Sequence, residues 1–134
     1  MNSPSMAHAL PLEPPEVWLL DNHQTTGRAL TLLLGDWGFA PRWMRTPTGA
    51  SGRSVAPAVI MVDDGLARSG EHFDALLALL GGLASGQPPL ILLGYRDDIA
   101  TKLQGYRVHG LAKPIEPERL RSLIELLIRP SDAA

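Results

Sequence analysis

The chain has 134 residues, 45% of them hydrophobic, and a formal charge of −2; that is enough for one domain with a buried core and too little for two. Its 12 Lys and Arg against 14 Asp and Glu give no clustered basic surface, so direct nucleic-acid binding is not expected. The absence of cysteine excludes disulfide scaffolds, thiol catalysis and cysteine-based zinc sites, and fits a reducing, cytoplasmic setting.

Residues 1–15 carry four prolines and neither a basic start nor a long apolar run, so they read as a disordered tail or linker rather than a signal peptide or membrane span. The domain is expected over residues 16–129, with 130–134 as a short C-terminal tail. Val17 to Leu20 is an apolar run stopped by Asp21-Asn22, too short for a helix and suited to a strand buried on both faces. Thr25 or Thr26 then caps a helix with Leu30, Leu33, Leu34 and Trp37 at the spacing of one buried face, ended by Gly38. That stripe is assigned to the core rather than to a docking partner.

Arg42 to Arg45 suggests an edge-like second strand. Prolines, glycines and small residues from Thr46 to Ala56 leave a following helix short or missing. Ala58 to Val62, largely β-branched and apolar, is the strongest strand signal and runs directly into Asp63-Asp64-Gly65. A helix with Phe73, Leu76, Leu77 and Leu80 on one face follows and weakens at Gly81-Gly82. Leu90 to Leu93 is a further buried strand, Asp97 to Gln104 a short helix, and Val108 to Ala112 the last strand. Pro117 then fits the first turn of a helix packed through Leu120, Leu123, Ile124 and Leu127. Strand and helix alternate about five times, which predicts an α/β fold with a doubly wound five-stranded parallel sheet.

Asp21, Asp63 and Lys113 fall at the ends of three of these strands, and in a parallel sheet ligands bind at the carboxyl ends. Two carboxylates and a lysine there suit a divalent cation and a phosphoryl group. Asp64 reads as a solvent-facing neighbour of Asp63, because adjacent strand residues point to opposite faces. His8, His23, His72 and His109 are scattered, with none at the i, i+4 spacing of a helical metal pair, and read as ordinary surface residues.

The segments Trp18-Leu-Leu-Asp-Asn22, Pro57-Ala-Val-Ile-Met-Val-Asp63, Pro89-Leu-Ile-Leu-Leu93 and Leu111-Ala-Lys-Pro-Ile115, in this order, resemble the receiver domain of bacterial two-component signalling from Glu16 to Ile128. The resemblance implies a flavodoxin-like receiver fold and a phosphoprotein. Asp63 then accepts a phosphoryl group from a histidine kinase or phosphotransfer protein, and Lys113 contacts that group. Magnesium is held by Asp21, Asp63 and the backbone carbonyl of Gly65. It also implies a signalling phosphoacceptor rather than an enzyme, standing alone or as part of a hybrid sensor kinase, with homodimerisation as a further form.

Three positions depart from that family. Leu20 stands where it has the first acid of its pair, which should weaken magnesium binding. Gly94 stands where it has a threonine or serine, and Gly110 where it has an aromatic residue that swings inward on activation. Tyr95, beside Gly94, is read either as a substitute or as an exposed loop tyrosine. These departures support an alternative: a pseudo-receiver acting as a phosphorylation-independent interaction or dimerisation module. A nucleotide- or flavin-using enzyme is disfavoured, because Asp21 to Gly27 lacks the G-x-G-x-x-G pattern of a phosphate loop.

Overall fold

The computed structural model describes residues 13–47, 56–83 and 87–128. The order is β1 (Glu16–Leu20), α1 (Gln24–Asp36), β2 (Ala40–Met44), β3 (Val59–Asp63), α2 (Asp64–Ala67), α3 (Gly70–Gly81), β4 (Leu90–Leu93), α4 (Asp97–Lys102), β5 (Val108–Leu111) and α5 (Pro117–Ile128). The five strands form one parallel sheet in the order β2-β1-β3-β4-β5, the doubly wound order expected of a flavodoxin-like fold. Most of the segment expected to hold a short or missing second helix, residues 48–55, lies outside the described residues, as do both expected tails almost entirely.

Alternation along the central strands divides the core between two faces. Trp18, Leu20, Ile60, Val62, Leu90 and Leu92 pack on one side with Leu66, Phe73, Leu76, Leu80 and Ile99. Val17, Leu19, Val59, Met61, Ile91 and Leu93 pack on the other with Leu30, Leu34, Leu120 and Ile124. Both faces of β1, β3 and β4 are therefore covered by helices, which is why these strands read as unbroken apolar runs. Burying each such side chain contributes about 1.5–3 kcal/mol.

Element boundaries moved where local chemistry overrode the pattern. Helix α1 begins at Gln24, with His23 at its N-cap and no side-chain cap, so Thr25 and Thr26 lie in its first turn rather than capping it. Its end is as expected: Trp37 is the C-cap and Gly38 takes φ +92°, a conformation that glycine adopts without the Cβ penalty. Strand β2 starts at Ala40, ahead of the expected Arg42, and includes Pro41; on an edge strand the missing N–H breaks no ladder.

Gly27 allows helix α1 to approach β2 closely. A Cβ there would collide with the indole of Trp43, whose Nε1 donates to the Asp21 carbonyl at 2.8 Å. Glycine thus lets Trp43 brace the turn that carries Asp21. Replacing an interior helical glycine with alanine ordinarily adds about 1 kcal/mol of stability. Here Gly27→Ala is expected to lose about 1–3 kcal/mol by overpacking, measured by chemical denaturation, and the loss should vanish in a Trp43→Leu background.

Candidate functional site

The site lies at the carboxyl ends of β1 and β3 and just past β5. Asp21 follows β1 and is fully buried, with Oδ1 accepting the His23 N–H at 2.8 Å. Its Oδ2 is buried with no hydrogen-bond partner among the described residues. Burial raises the Asp21 carboxyl above its ordinary range; the His23 amide opposes that rise and the nearby Asp63 charge adds to it.

Asp63 ends β3 and is also buried. Its Oδ2 accepts the Gly65 N–H at 2.9 Å, capping α2, while its Oδ1 accepts from Lys113 Nζ at 2.7 Å. Gly65 therefore presents its N–H to Asp63. Lys113 also donates to Asp64 Oδ1 at 2.7 Å. Burial alone would lower the lysine pKa, but the hydrogen bonds that the ammonium donates to Asp63 and Asp64 outweigh it and the value is raised. The ammonium thus holds the end of β5 against the end of β3 through two carboxylates. The Lys113–Pro114 peptide bond is cis.

Asp64 departs from its expected solvent-facing role. Strand alternation stops at Asp63 because Asp64 opens α2, and its carboxylate turns toward Lys113. It also explains Gly94, which has φ +84°: a Cβ there would come within 2.8 Å of the Asp64 carboxyl carbon and one of its oxygens. A threonine or serine at 94 would need both a strained backbone and the space that Asp64 fills. Gly110 is explained in the same way, since a Cβ there would collide with the Tyr95 ring. Tyr95 is about half exposed and covers the place where the resemblance expects an aromatic side chain. Leu20 is fully buried in the core cluster with Trp18 and Val62, so no acid equivalent to the family's first one enters the site from position 20.

The sequence reading missed His23. The residue is largely exposed, yet Nδ1 lies 3.2 Å from Asp21 Oδ1 and 3.6 Å from Asp63 Oδ2. One donor atom each from Asp21, His23 and Asp63 lies within 4.8 Å of the others, a set able to hold a metal ion. No sequence pattern marked it, because its place depends on the turn between β1 and α1, where it is the N-cap residue. Of the other histidines, His72 and His109 are half-buried rather than surface residues, and His8 lies outside the described residues.

No family model matches the chain, and no curated protein matches it. Solved structures do. A response regulator receiver protein from Burkholderia phymatum is similar at 21% identity and TM-score 0.63, over 85% of this chain and 94% of that one. The pseudo-receiver domain of the CikA protein is similar at 19% identity and TM-score 0.65, over 87% and 99%. The receiver domain of a sensor histidine kinase from Pseudomonas aeruginosa PAO1, with magnesium coordinated in its active-site cleft, is similar at 17% identity and TM-score 0.67, over 86% and 98%. Among the described residues no helix is long and apolar enough to cross a membrane.

An acid whose folded pKa is raised binds its proton more tightly folded than unfolded. Its ionisation therefore costs stability as pH rises from the unfolded value through the folded one, and the penalty is then constant. In chelator, Asp21→Asn is expected to gain about 1 kcal/mol near neutrality, with the gain shrinking to nothing below the unfolded aspartate pKa near 4, as read by thermal melts across pH. In its five-stranded parallel sheet, helices on both faces and strand order, this chain has the fold of the receiver domains of two-component signalling.

Proposed function

We propose that this domain is an atypical receiver that accepts a phosphoryl group on Asp63 from the phosphohistidine of a histidine kinase or phosphotransfer protein. The contact that carries this reading is the 2.7 Å hydrogen bond from Lys113 Nζ to the buried Asp63 carboxylate. In the reaction an Asp63 oxygen attacks phosphorus as the donor's N–P bond breaks, and the released imidazole nitrogen recovers its electron pair. Lys113 is already in place to offset the negative charge that the arriving phosphoryl oxygens bring beside the carboxylate. The Gly65 N–H fixes the other oxygen of Asp63 and so limits how the nucleophile can rotate.

The fold also implies a divalent cation, and the donors present fit one: the orphaned, buried Asp21 Oδ2 lacks a partner that an ion would supply. Asp21, His23 and Asp63 would hold it, and it would offset repulsion between the carboxylates and the arriving phosphoryl group. The partner supplies alignment and the site supplies charge compensation.

Asp64 favours a second reading, the pseudo-receiver. Its carboxylate occupies Lys113 and fills the space beside Gly94, so the domain has a built-in anion where a receiver would admit one. The folded scaffold would then serve as an interaction module without phosphorylation.

The two readings separate on incubation with phosphoramidate and a divalent cation, followed by intact-mass measurement. The receiver reading expects a gain of one phosphoryl group that Asp63→Asn abolishes; no gain from a folded wild-type domain supports the pseudo-receiver. Asp64→Asn removes the competing charge while keeping the side chain's shape. It is expected to raise the rate of phosphorylation several-fold, since a partly exposed ion pair amounts to about 1 kcal/mol; an unchanged rate would mean that Asp64 does not compete for the lysine.

A further inference from the structure

We propose that Asp21, His23 and Asp63 form a site for a first-row transition-metal dication, with the His23 imidazole as a direct ligand that favours such ions over magnesium. The inference shares its site with the phosphoacceptor reading but requires only ion binding, not phosphorylation.

The first observation is the donor set. A magnesium site is built from oxygen atoms in a near-ideal octahedron. This one brings His23 Nδ1 to 3.2 Å from Asp21 Oδ1 and 3.6 Å from Asp63 Oδ2, within a group whose donor atoms all lie within 4.8 Å of one another. Ligand atoms about 2.0–2.2 Å from one ion at right angles lie about 3 Å apart, so these separations approach those of neighbouring ligands and need only small side-chain movements. Carboxylate and imidazole together suit manganese, iron, cobalt, nickel or zinc.

The second observation is independent of the first. Among the described residues Asp21 Oδ2 is buried without a hydrogen-bond partner, while the other oxygen of the carboxylate, Oδ1, accepts the His23 amide. Buried polar groups are ordinarily satisfied, and an orphaned carboxylate oxygen calls for a ligand. The third concerns position 20. An acid there would have added oxygen to the site, but Leu20 is buried in the core. The oxygen-rich character that magnesium requires is thus reduced on one side of Asp21 while nitrogen is supplied two residues along.

The remaining neighbours leave room for this assignment. Lys113 binds Oδ1 of Asp63, whereas the oxygen nearest His23 is Oδ2, which also accepts the Gly65 N–H. Lysine and cation would therefore use different oxygens of the same carboxylate. His23 is largely exposed at its N-cap position, so its ring can adjust without disturbing the core.

The test is isothermal titration of the full, unphosphorylated chain with Mn²⁺, Zn²⁺ and Mg²⁺ separately, together with the visible absorption spectrum of the Co²⁺ form. The expected result is that wild type binds Mn²⁺ and Zn²⁺ at least about a hundredfold tighter than Mg²⁺, following the usual affinity order for nitrogen-containing sites. His23→Ala should weaken Mn²⁺ and Zn²⁺ about tenfold or more, change the Co²⁺ spectrum and leave Mg²⁺ affinity nearly unaltered. His23→Asp should move the preference back toward Mg²⁺. Equal Mn²⁺ and Zn²⁺ affinities in wild type and His23→Ala, with an unchanged Co²⁺ spectrum, would overturn the proposal. So would Zn²⁺ binding that persists in Asp21→Asn and Asp63→Asn, which would place the ion elsewhere. Phosphoramidate labelling of the wild-type chain separates the two claims: labelling together with Mn²⁺ and Zn²⁺ affinities that are unchanged in His23→Ala rejects the metal assignment and keeps the phosphoacceptor, and absent labelling together with Mn²⁺ and Zn²⁺ binding that is weakened in His23→Ala does the reverse.

Discussion

Charge balance at the carboxyl edge of the sheet is the constraint on which the rest of the site depends. Three carboxylates, from Asp21, Asp63 and Asp64, converge where β1 and β3 end, and two of them are buried. Carboxylates removed from water require compensation. Lys113 supplies it for Asp63 and Asp64, reaching from the segment after β5 and tying the two strand ends together. Asp21 is left with the His23 amide and ring on one oxygen and nothing on the other. The site therefore has a satisfied half, fixed by the lysine, and a half still short of positive charge.

Much of this was legible in the sequence because the central strands are apolar on both faces and each of three strand ends carries a charged residue. The strands could be placed within about two residues from those runs alone. Asp21, Asp63 and Lys113 followed from the rule that ligands gather at carboxyl edges. His23 was not legible. Its role depends on the turn that leaves β1 and on its place at the head of α1, neither of which a search for helical histidine pairs could detect. Asp64 was misread for a related reason. The alternation rule was carried one residue past the end of the strand, into a turn whose first helical residue faces the site instead of solvent.

Gly94 and Gly110 carry a different lesson. In the sequence each looked like a simple deletion of a functional side chain. In the structure each is the space required by another residue, Asp64 in the first case and Tyr95 in the second. The face that includes β4 and β5 has thus been repacked rather than stripped. Where a hydroxyl was expected at 94 stands the Asp64 carboxylate from the first residue of α2, and where an aromatic was expected at 110 stands the Tyr95 ring from the loop after β4. Beside Lys113 the structure thus has, in place of the hydroxyl that the resemblance implies, a carboxylate that accepts from the lysine.

The contact between Gly94 and Asp64 also couples what each of the two positions can hold. A larger residue at 94 cannot be accommodated while Asp64 holds its place, and the left-handed backbone at 94 adds a second barrier. A hydroxyl-bearing side chain at 94 therefore needs both a change at position 64 and a change of backbone. Substitutions at the two positions cannot be judged one at a time, because what position 94 tolerates is set by what position 64 holds.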